Sequence, residues 1–273
     1  MTERGAALLL VGCGKMGGAL LAGWLERRMS RPIFVIEPSA EAVAPLRGRP
    51  GISIHADIDS LPAAFHPGVV VFAIKPQAMD AIVPKHRRFA GAETLILSIA
   101  AGRPISFFER HLGTATPVIR GMPNTPAQVG CGITVLCPNR AVRPAQRDVA
   151  QDLLAAVGGV AWIEDESLMD AVTAVSGSGP AYVFLLAECL AEAGIEAGLP
   201  PELANTLARA TVAGAGELLR QSDEPAAKLR QNVTSPGGTT AAALDVLMAK
   251  DGLRPLLVKA VAAATKRSRE LAG

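Results

Sequence analysis

Gly12-Cys13-Gly14-Lys15-Met16-Gly17 decides how this chain of 273 residues folds. It follows the apolar run Ala6-Ala7-Leu8-Leu9-Leu10-Val11, which reads as a buried strand. It precedes the stretch from Met16 to Leu25, which reads as an apolar-faced helix. Strand, G-x-G-x-x-G and helix in that order form the dinucleotide fingerprint. Gly12 permits the tight turn, Gly14 lets a pyrophosphate approach the backbone, and Gly17 lets helix and strand pack closely. The bare N–H groups of the helix start then face the phosphates. Three glycines at this spacing would also suit a merely tight strand–helix turn, so the flanking strand and helix carry the reading.

Outward from this turn, strands and helices alternate. Apolar runs at 32–37, 68–74, 94–99, 116–120, 131–137 and 160–163 read as strands, with a helix over 144–157. Continuous β-branched runs separated by helices predict a parallel sheet covered on both faces, with ligands at the carboxyl ends of its strands. Near residue 164 the texture changes. Ala-, Leu- and Glu-rich segments at 165–175, 180–197, 201–221, 224–231, 236–249 and 253–271 predict helices, punctuated by Gly198, Pro200 and Pro201, by Ser222–Pro225 and by Gly252. The predicted class is therefore α/β, with a Rossmann-like dinucleotide-binding domain over 1–163 and an all-helical domain over 164–273. Small residues on both faces of 201–221 suit close helix packing. With so few aromatics, the helical domain is expected to complete its core by dimerising.

Composition narrows the function classes. The chain is 49% hydrophobic and 19% charged with a net charge of +2. No basic stretch is interleaved with aromatics, so nucleic acid is not an expected partner. Cys13, Cys131, Cys137 and Cys189 form no C-x-x-C pair; reduced thiols in a cytoplasmic protein are expected, with no metal site. No membrane-spanning helix is expected, because the best candidate, 180–199, carries Glu188, Glu192 and Glu196.

Several stretches carry candidate chemistry. Glu37 ends the second strand, where an acid suits the ribose hydroxyls of NAD and repels a 2′-phosphate. Ser39, Arg47 and Arg49 lie close enough in sequence to accommodate a phosphate instead. Ala73-Ile74-Lys75-Pro76-Gln77 follows the third apolar run, which sets Lys75 either beside a cofactor or on a plain surface. Ser98–Gly102 is a small-residue turn at the next strand end. Arg120–Pro126 is a rigid loop that holds a flat ring or simply stiffens a connection. Val175–Tyr182 admits either a ligand or another helix. In Asn232–Thr240, Ser235 reads as an N-cap and Pro236 as the first helical residue. Gly-Gly inside a first turn costs about 1 kcal/mol per residue relative to Ala, which a carboxylate site at the helix start would explain. His55, His66, His86 and His111 lie in the first half, outside the expected strand-end loops, and Lys228, Lys250, Lys259 and Lys266 of the helical domain lie outside its Gly/Ser-rich loops, so no acid–base group for an alcohol's proton stands out. A hydride acceptor that arrives already protonated, such as an iminium, needs no such group.

Together GCGKMG, AIKPQ, RGMPNTPA, VSGSGPAY and above all VTSPGGTT resemble, in order and over essentially the whole chain, the pyrroline-5-carboxylate reductases. That resemblance implies reduction of the cyclic imine 1-pyrroline-5-carboxylate to L-proline, the last step of proline biosynthesis, with NADPH or NADH. It implies a homodimer through the helical domain, with decamers known in the family. It further implies that Gly12, Cys13, Gly14, Lys15, Met16 and Gly17 hold the pyrophosphate. Ala73, Lys75, Pro76, Ala101 and Asn124 would line the cofactor, with Asn232 close to it, while Glu37 and Ser39 remain cofactor-binding candidates on their place after the second strand alone. Gly237, Gly238 and Thr239 would offer amides to the substrate carboxylate beside Ser235. Thr240 would meet the ring nitrogen, and Thr173 and Val233 would shape the pocket. Glu37 stands where the family often has Ser, Thr or Arg, which points to NADH. The alternatives are a β-hydroxyacid dehydrogenase, argued against by the absence of lysine from 179–197, and a nucleotide-binding sensor without turnover.

Overall fold

The computed structural model describes residues 6–272. Its centre is an eight-stranded sheet: β1 (Leu8–Val11), β2 (Ile33–Ile36), β3 (Ile52–His55), β4 (Val69–Phe72), β5 (Leu95–Ser98), β6 (Val118–Met122), β7 (Gly132–Pro138) and β8 (Gly158–Trp162). The spatial order is β3-β2-β1-β4-β5-β6-β7-β8. Strands β1 to β6 are mutually parallel. The expected all-parallel sheet is corrected at β7, which runs antiparallel to β6 and carries β8 with it. Only residues 123–131 join β6 to β7. That is too short for the helical crossover a parallel pair needs, so the chain turns back.

Alternation along the strands builds two cores, because successive side chains point to opposite faces. Leu8 and Leu10 of β1, with Val69 and Val71 of β4, pack against α1 (Lys15–Glu26) and α5 (Pro144–Ala155) through Leu20, Leu21, Leu153 and Leu154. Leu9, Val11, Val70 and Phe72 face the other way, toward α3 (Met79–Ile82) and α4 (Ile105–Leu112), through Met79, Phe107 and Phe108. Burying each such side chain stabilises by roughly 1.5–3 kcal/mol. Trp24 is fully buried, and its indole N–H donates to the Leu153 carbonyl at 2.8 Å, tying α1 to α5. The short helix α2 (Ala40–Val43) follows β2.

Past β8 the described chain is helical, as its texture predicts. A 3-10 turn at Glu166–Leu168, α6 (Met169–Val172) and a π-turn at Thr173–Gly177 lead into α7 (Gly179–Glu196). Next come α8 (Pro201–Gln221), α9 (Ala226–Asn232), α10 (Thr239–Leu247) and α11 (Leu253–Ala272). Two compact units result. One holds the residues up to Gly177 together with those from Thr265 onward; the other is Ser178–Ala264. This division falls later than the texture change at 164, because the first helical turns belong to the sheet's core. Met169 is fully buried there, and Glu166 accepts from the Ile105 amide and pairs with the buried Arg120 at 2.8 Å. At the other end, the Ser268 hydroxyl donates to Asp170 at 2.6 Å.

The second unit exposes large apolar side chains in number. Phe184 is 62% exposed, Val246 71% and Val258 62%. Large apolar side chains exposed in such number mark an interaction surface. The helical run Glu166–Glu196 is long and apolar enough to cross a membrane by length and composition alone, despite its three glutamates beyond Leu186. The sequence expectation that none reaches that threshold is corrected accordingly.

Candidate cofactor and substrate sites

Four strand ends and the start of α1 surround a groove of about 420 Å³ in the first unit. Gly12, Gly14, Glu37, Ala73 and Lys75 line it, as the strand-end rule predicts. Gly12 adopts φ +93°, and a side chain there would begin 2.7 Å from the Ala73 carbonyl oxygen. At Gly17 a Cβ would lie 2.2 Å from the Gly12 carbonyl oxygen, so β1, the turn and α1 pack this closely only with glycine. Gly14 differs: nothing lies within 4 Å of its missing Cβ. That open space, facing a helix start without a side-chain cap, is room for a pyrophosphate. The residues present therefore fit a dinucleotide. Lys15 sits exposed and Met16 half-buried in the first turn of α1.

Glu37 is held in place from both sides. Its Oε2 accepts the Cys13 amide at 2.8 Å and its Oε1 the Ser39 amide at 2.9 Å. Ser39 itself caps α2, with its hydroxyl accepting from the Ala42 amide. Arg47 and Arg49 are exposed and absent from the groove lining; Arg49 instead donates to the Pro45 carbonyl. Burial, with the Glu37 carboxylate adding, pushes the Cys13 thiol up to about 11, so it is neutral at ordinary pH and no nucleophile.

The groove's far end comes from residues that sequence spacing does not reach. Ala56, Asp57, Ile58 and Asp59 follow β3, while Ala78 stands just before α3 and Ile82, Lys85 and His86 lie at and after its end. Strand β3 is the missing signal: an order β3-β2-β1 places its loop beside Glu37. His86 is 2% exposed, and its Nδ1 donates to the Ile82 carbonyl at 2.9 Å, since a carbonyl only accepts. Burial, reinforced by Arg88 and Lys85 and opposed by the Ile82 carbonyl, drives its pKa down from 6.5 to about 4. The unfolded chain takes up this proton below 6.5, whereas the fold resists it until about 4. Acid between those values thus favours unfolding, by up to about 3 kcal/mol for this group. Melting temperatures recorded from neutral pH down to about 4 should fall less steeply in His86→Leu than in the unsubstituted protein. Parallel curves would contradict this.

Other expected cofactor residues occupy neighbouring strand ends. Pro76 opens a 3-10 turn after Lys75, and Ala101 is exposed in the turn after β5. Asn124 spends its side-chain oxygen on the Ile133 amide at 2.9 Å, which fixes the start of β7. Thr173 lies in the π-turn of the first unit and donates to the Met169 carbonyl. In the same turn the Ser176 hydroxyl is buried without a hydrogen-bond partner among the described residues, and Gly177 packs against Met122. The VSGSGP stretch is thus at least a close-packed turn, and π-turns recur at functional sites.

Asn232, Val233, Ser235, Gly237, Gly238, Thr239 and Thr240 all fall in the second unit, around the start of α10. The expected helix start is corrected here. Residues 235–238 form a turn in which the Gly238 amide donates to the Ser235 carbonyl at 3.0 Å and Gly237 adopts φ +68°. Gly238, not Ser235, is the N-cap, it offers no side chain, and the helix begins at Thr239. The amides free of intrahelical acceptors are those of Thr239, Thr240 and Ala241, two residues further on than the expected set of Gly237, Gly238 and Thr239. Asn232 donates to Glu224 at 3.0 Å, and Val233 is 63% exposed.

A dinucleotide groove on a doubly wound sheet, followed by a helical unit with an uncapped helix start, defines the class: an oxidoreductase that uses a nicotinamide cofactor. Known proteins narrow it. Residues 166–271 match the family model for pyrroline-5-carboxylate reductase dimerisation, and residues 7–102 match a model described as NADP oxidoreductase, coenzyme F420-dependent. The pyrroline-5-carboxylate reductase of Pseudomonas aeruginosa is 41% identical over 97% of this chain and 96% of its own, and that of Synechocystis is 40% identical over 96% and 97%. The solved structure of the Coxiella burnetii enzyme superposes with a TM-score of 0.91 at 34% identity, covering 98% of this chain and 99% of that one. The Plasmodium falciparum enzyme, solved with NADP bound, gives 0.80 at 30% identity over the whole of both chains. The chain belongs to the pyrroline-5-carboxylate reductase family. Its helical unit carries the family's dimerisation segment, which accounts for the exposed apolar side chains: the protein is an oligomer through these helices.

Proposed function

We propose that the carboxylate of 1-pyrroline-5-carboxylate docks at the start of α10, on the first-turn amides of Thr239 and Thr240, with Ser235 beside it. The reaction is that of the family: reduction of the cyclic imine to L-proline at the expense of NAD(P)H, closing proline biosynthesis. The observation that carries the docking site is the uncapped start of α10 directly after the Ser235–Gly238 turn. Gly237 and Gly238 present no side chain there, so an anion can reach both the amides and the positive end of the helix dipole. Thr240 turns its hydroxyl to the ring nitrogen, Val233 shapes the pocket beside it, and Thr173 is a further substrate contact.

The bound reduced nicotinamide supplies a hydride. The chain's own task is orientation, because a protonated C=N carbon is electrophilic without help from a general acid. Gly12 to Gly17 fix the pyrophosphate, while Ala73, Lys75, Pro76, Ala101, Asn124 and Asn232 line the cofactor. Glu37, pinned by the Cys13 and Ser39 amides, accepts from the ribose hydroxyls and repels a 2′-phosphate, so NADH is preferred. Glu37→Ala should raise the ratio of kcat/KM for NADPH over NADH by about tenfold, roughly 1.4 kcal/mol of discrimination. An unchanged ratio would show that Glu37 does not read the ribose.

Mixing the purified protein with 1-pyrroline-5-carboxylate and each reduced cofactor, while following nicotinamide absorbance, tests the reaction itself. Turnover with NADH faster than with NADPH is expected. Binding of cofactor without oxidation would favour a sensor instead. In this account the enzyme works in the cytoplasm and needs neither nucleic acid nor membrane. The exposed apolar side chains of α7 are covered by the second subunit, and five such dimers make the decamer that light scattering would detect.

A further inference from the structure

Arg103 has no place in the chemistry above, yet it joins two loops assigned to the cofactor. It follows the Ser98–Gly102 turn at the end of β5, and its guanidinium reaches back to the loop at the end of β4. There Nε and Nη2 both donate to the Pro76 carbonyl, at 3.2 and 3.1 Å, and Nη2 also pairs with Asp80. The guanidinium carbon lies 4.8 Å from the centre of the Phe107 ring, so the planar group is stacked as well as hydrogen-bonded. On its other side, the same turn meets the Leu271 carbonyl oxygen, 3.3 Å from where a side chain at Gly102 would begin. Hydrogen bonds alone hold β4 and β5 in register as far as Phe72 and Ser98. Beyond that point the side chain of Arg103 bridges the two loops.

We propose that Arg103 is a positioning residue for the cofactor: by tying Pro76 to the Ser98–Gly102 turn, it fixes the spacing of the two loops between which the nicotinamide half must fit. This rests on the reading that Lys75, Pro76 and Ala101 contact the cofactor. A planar fork suits the task better than an ammonium, because it serves the Pro76 carbonyl, Asp80 and the Phe107 face together.

The test uses the full-length protein and its Arg103→Ala, Arg103→Lys and Asp80→Ala variants. NADH affinity is read from nicotinamide fluorescence, with KM, kcat and melting temperature alongside. Arg103→Ala should raise both the Kd and the KM for NADH about tenfold, as expected for losing a charge-assisted contact. At saturating cofactor kcat should stay within about twofold, because the loops still assemble once filled. Arg103→Lys should lie between, and Asp80→Ala, on an exposed side chain, should raise Kd about two- to threefold at unchanged melting temperature. Loss of melting temperature with NADH affinity unchanged in Arg103→Ala would make the residue merely structural and overturn the proposal. Should Arg103→Ala fail to fold, Asp80→Ala decides: raised Kd supports the proposal, unchanged Kd ends it. An unsubstituted protein that binds no NADH would defeat the nucleotide reading first, and this proposal with it.

Discussion

Gly17→Val is expected to remove cofactor binding and to lower the melting temperature, whereas Gly14→Ala removes binding alone. The two glycines stand three residues apart and do different work. A Cβ at Gly17 would sit 2.2 Å from the Gly12 carbonyl oxygen and 3.1 Å from the Ala73 Cβ, so β1 and α1 must separate. Overpacking of this kind typically costs about 1–3 kcal/mol of stability, and in molecules that still fold the displaced turn should no longer hold the pyrophosphate. At Gly14 a Cβ meets nothing within 4 Å. The fold should ignore it, and only a ligand brought to that space would collide. Titration with NADH beside thermal melts of both variants separates the cases. A Gly14→Ala protein that binds NADH with full affinity would mean that the pyrophosphate lies elsewhere.

Thr240→Ala should cut kcat about ten- to hundredfold, the equivalent of losing one hydrogen bond to a charged partner. The KM for NADH should stay within about twofold, because Thr240 belongs to the helical unit and not to the dinucleotide groove. Thr240→Ser keeps the hydroxyl and should retain most of the turnover. The side chain is only half-buried at the second position of α10, so its removal leaves little cavity behind. Parallel losses in kcat, cofactor KM and melting temperature would point to misfolding and refute the specific role of the hydroxyl.

How much of this was legible beforehand differs by element, for physical reasons. The glycine turn and strands β1, β2, β4 and β5 announce themselves because a strand buried on both faces is a continuous apolar run. Strand β3 does not. Ile52-Ser53-Ile54-His55 lies half-buried at the sheet edge, where short alternation resembles a loop. With it went Asp57, Asp59 and the far wall of the groove. The reversal at β7 has a readable cause in the short connection 123–131, which spacing of apolar runs alone does not weigh. Helix α8 matches its expected bounds, 201–221, whereas α10 starts three residues late. Pro236-Gly237 signals a turn as strongly as a helix start, and φ +68° at Gly237 decides for the turn. Side-chain bridges such as Arg103 to Pro76, between residues 27 apart, leave no trace in local pattern.

Everything turns on whether α10 receives the ring acid. A crystal structure of the protein with NADH or NAD and L-proline is the most direct measurement. The proline carboxylate is predicted on the Thr239 and Thr240 amides, with the ring nitrogen within hydrogen-bonding distance of the Thr240 hydroxyl. Proline seated elsewhere, with residues 235–240 left empty at saturating ligand, would contradict the account.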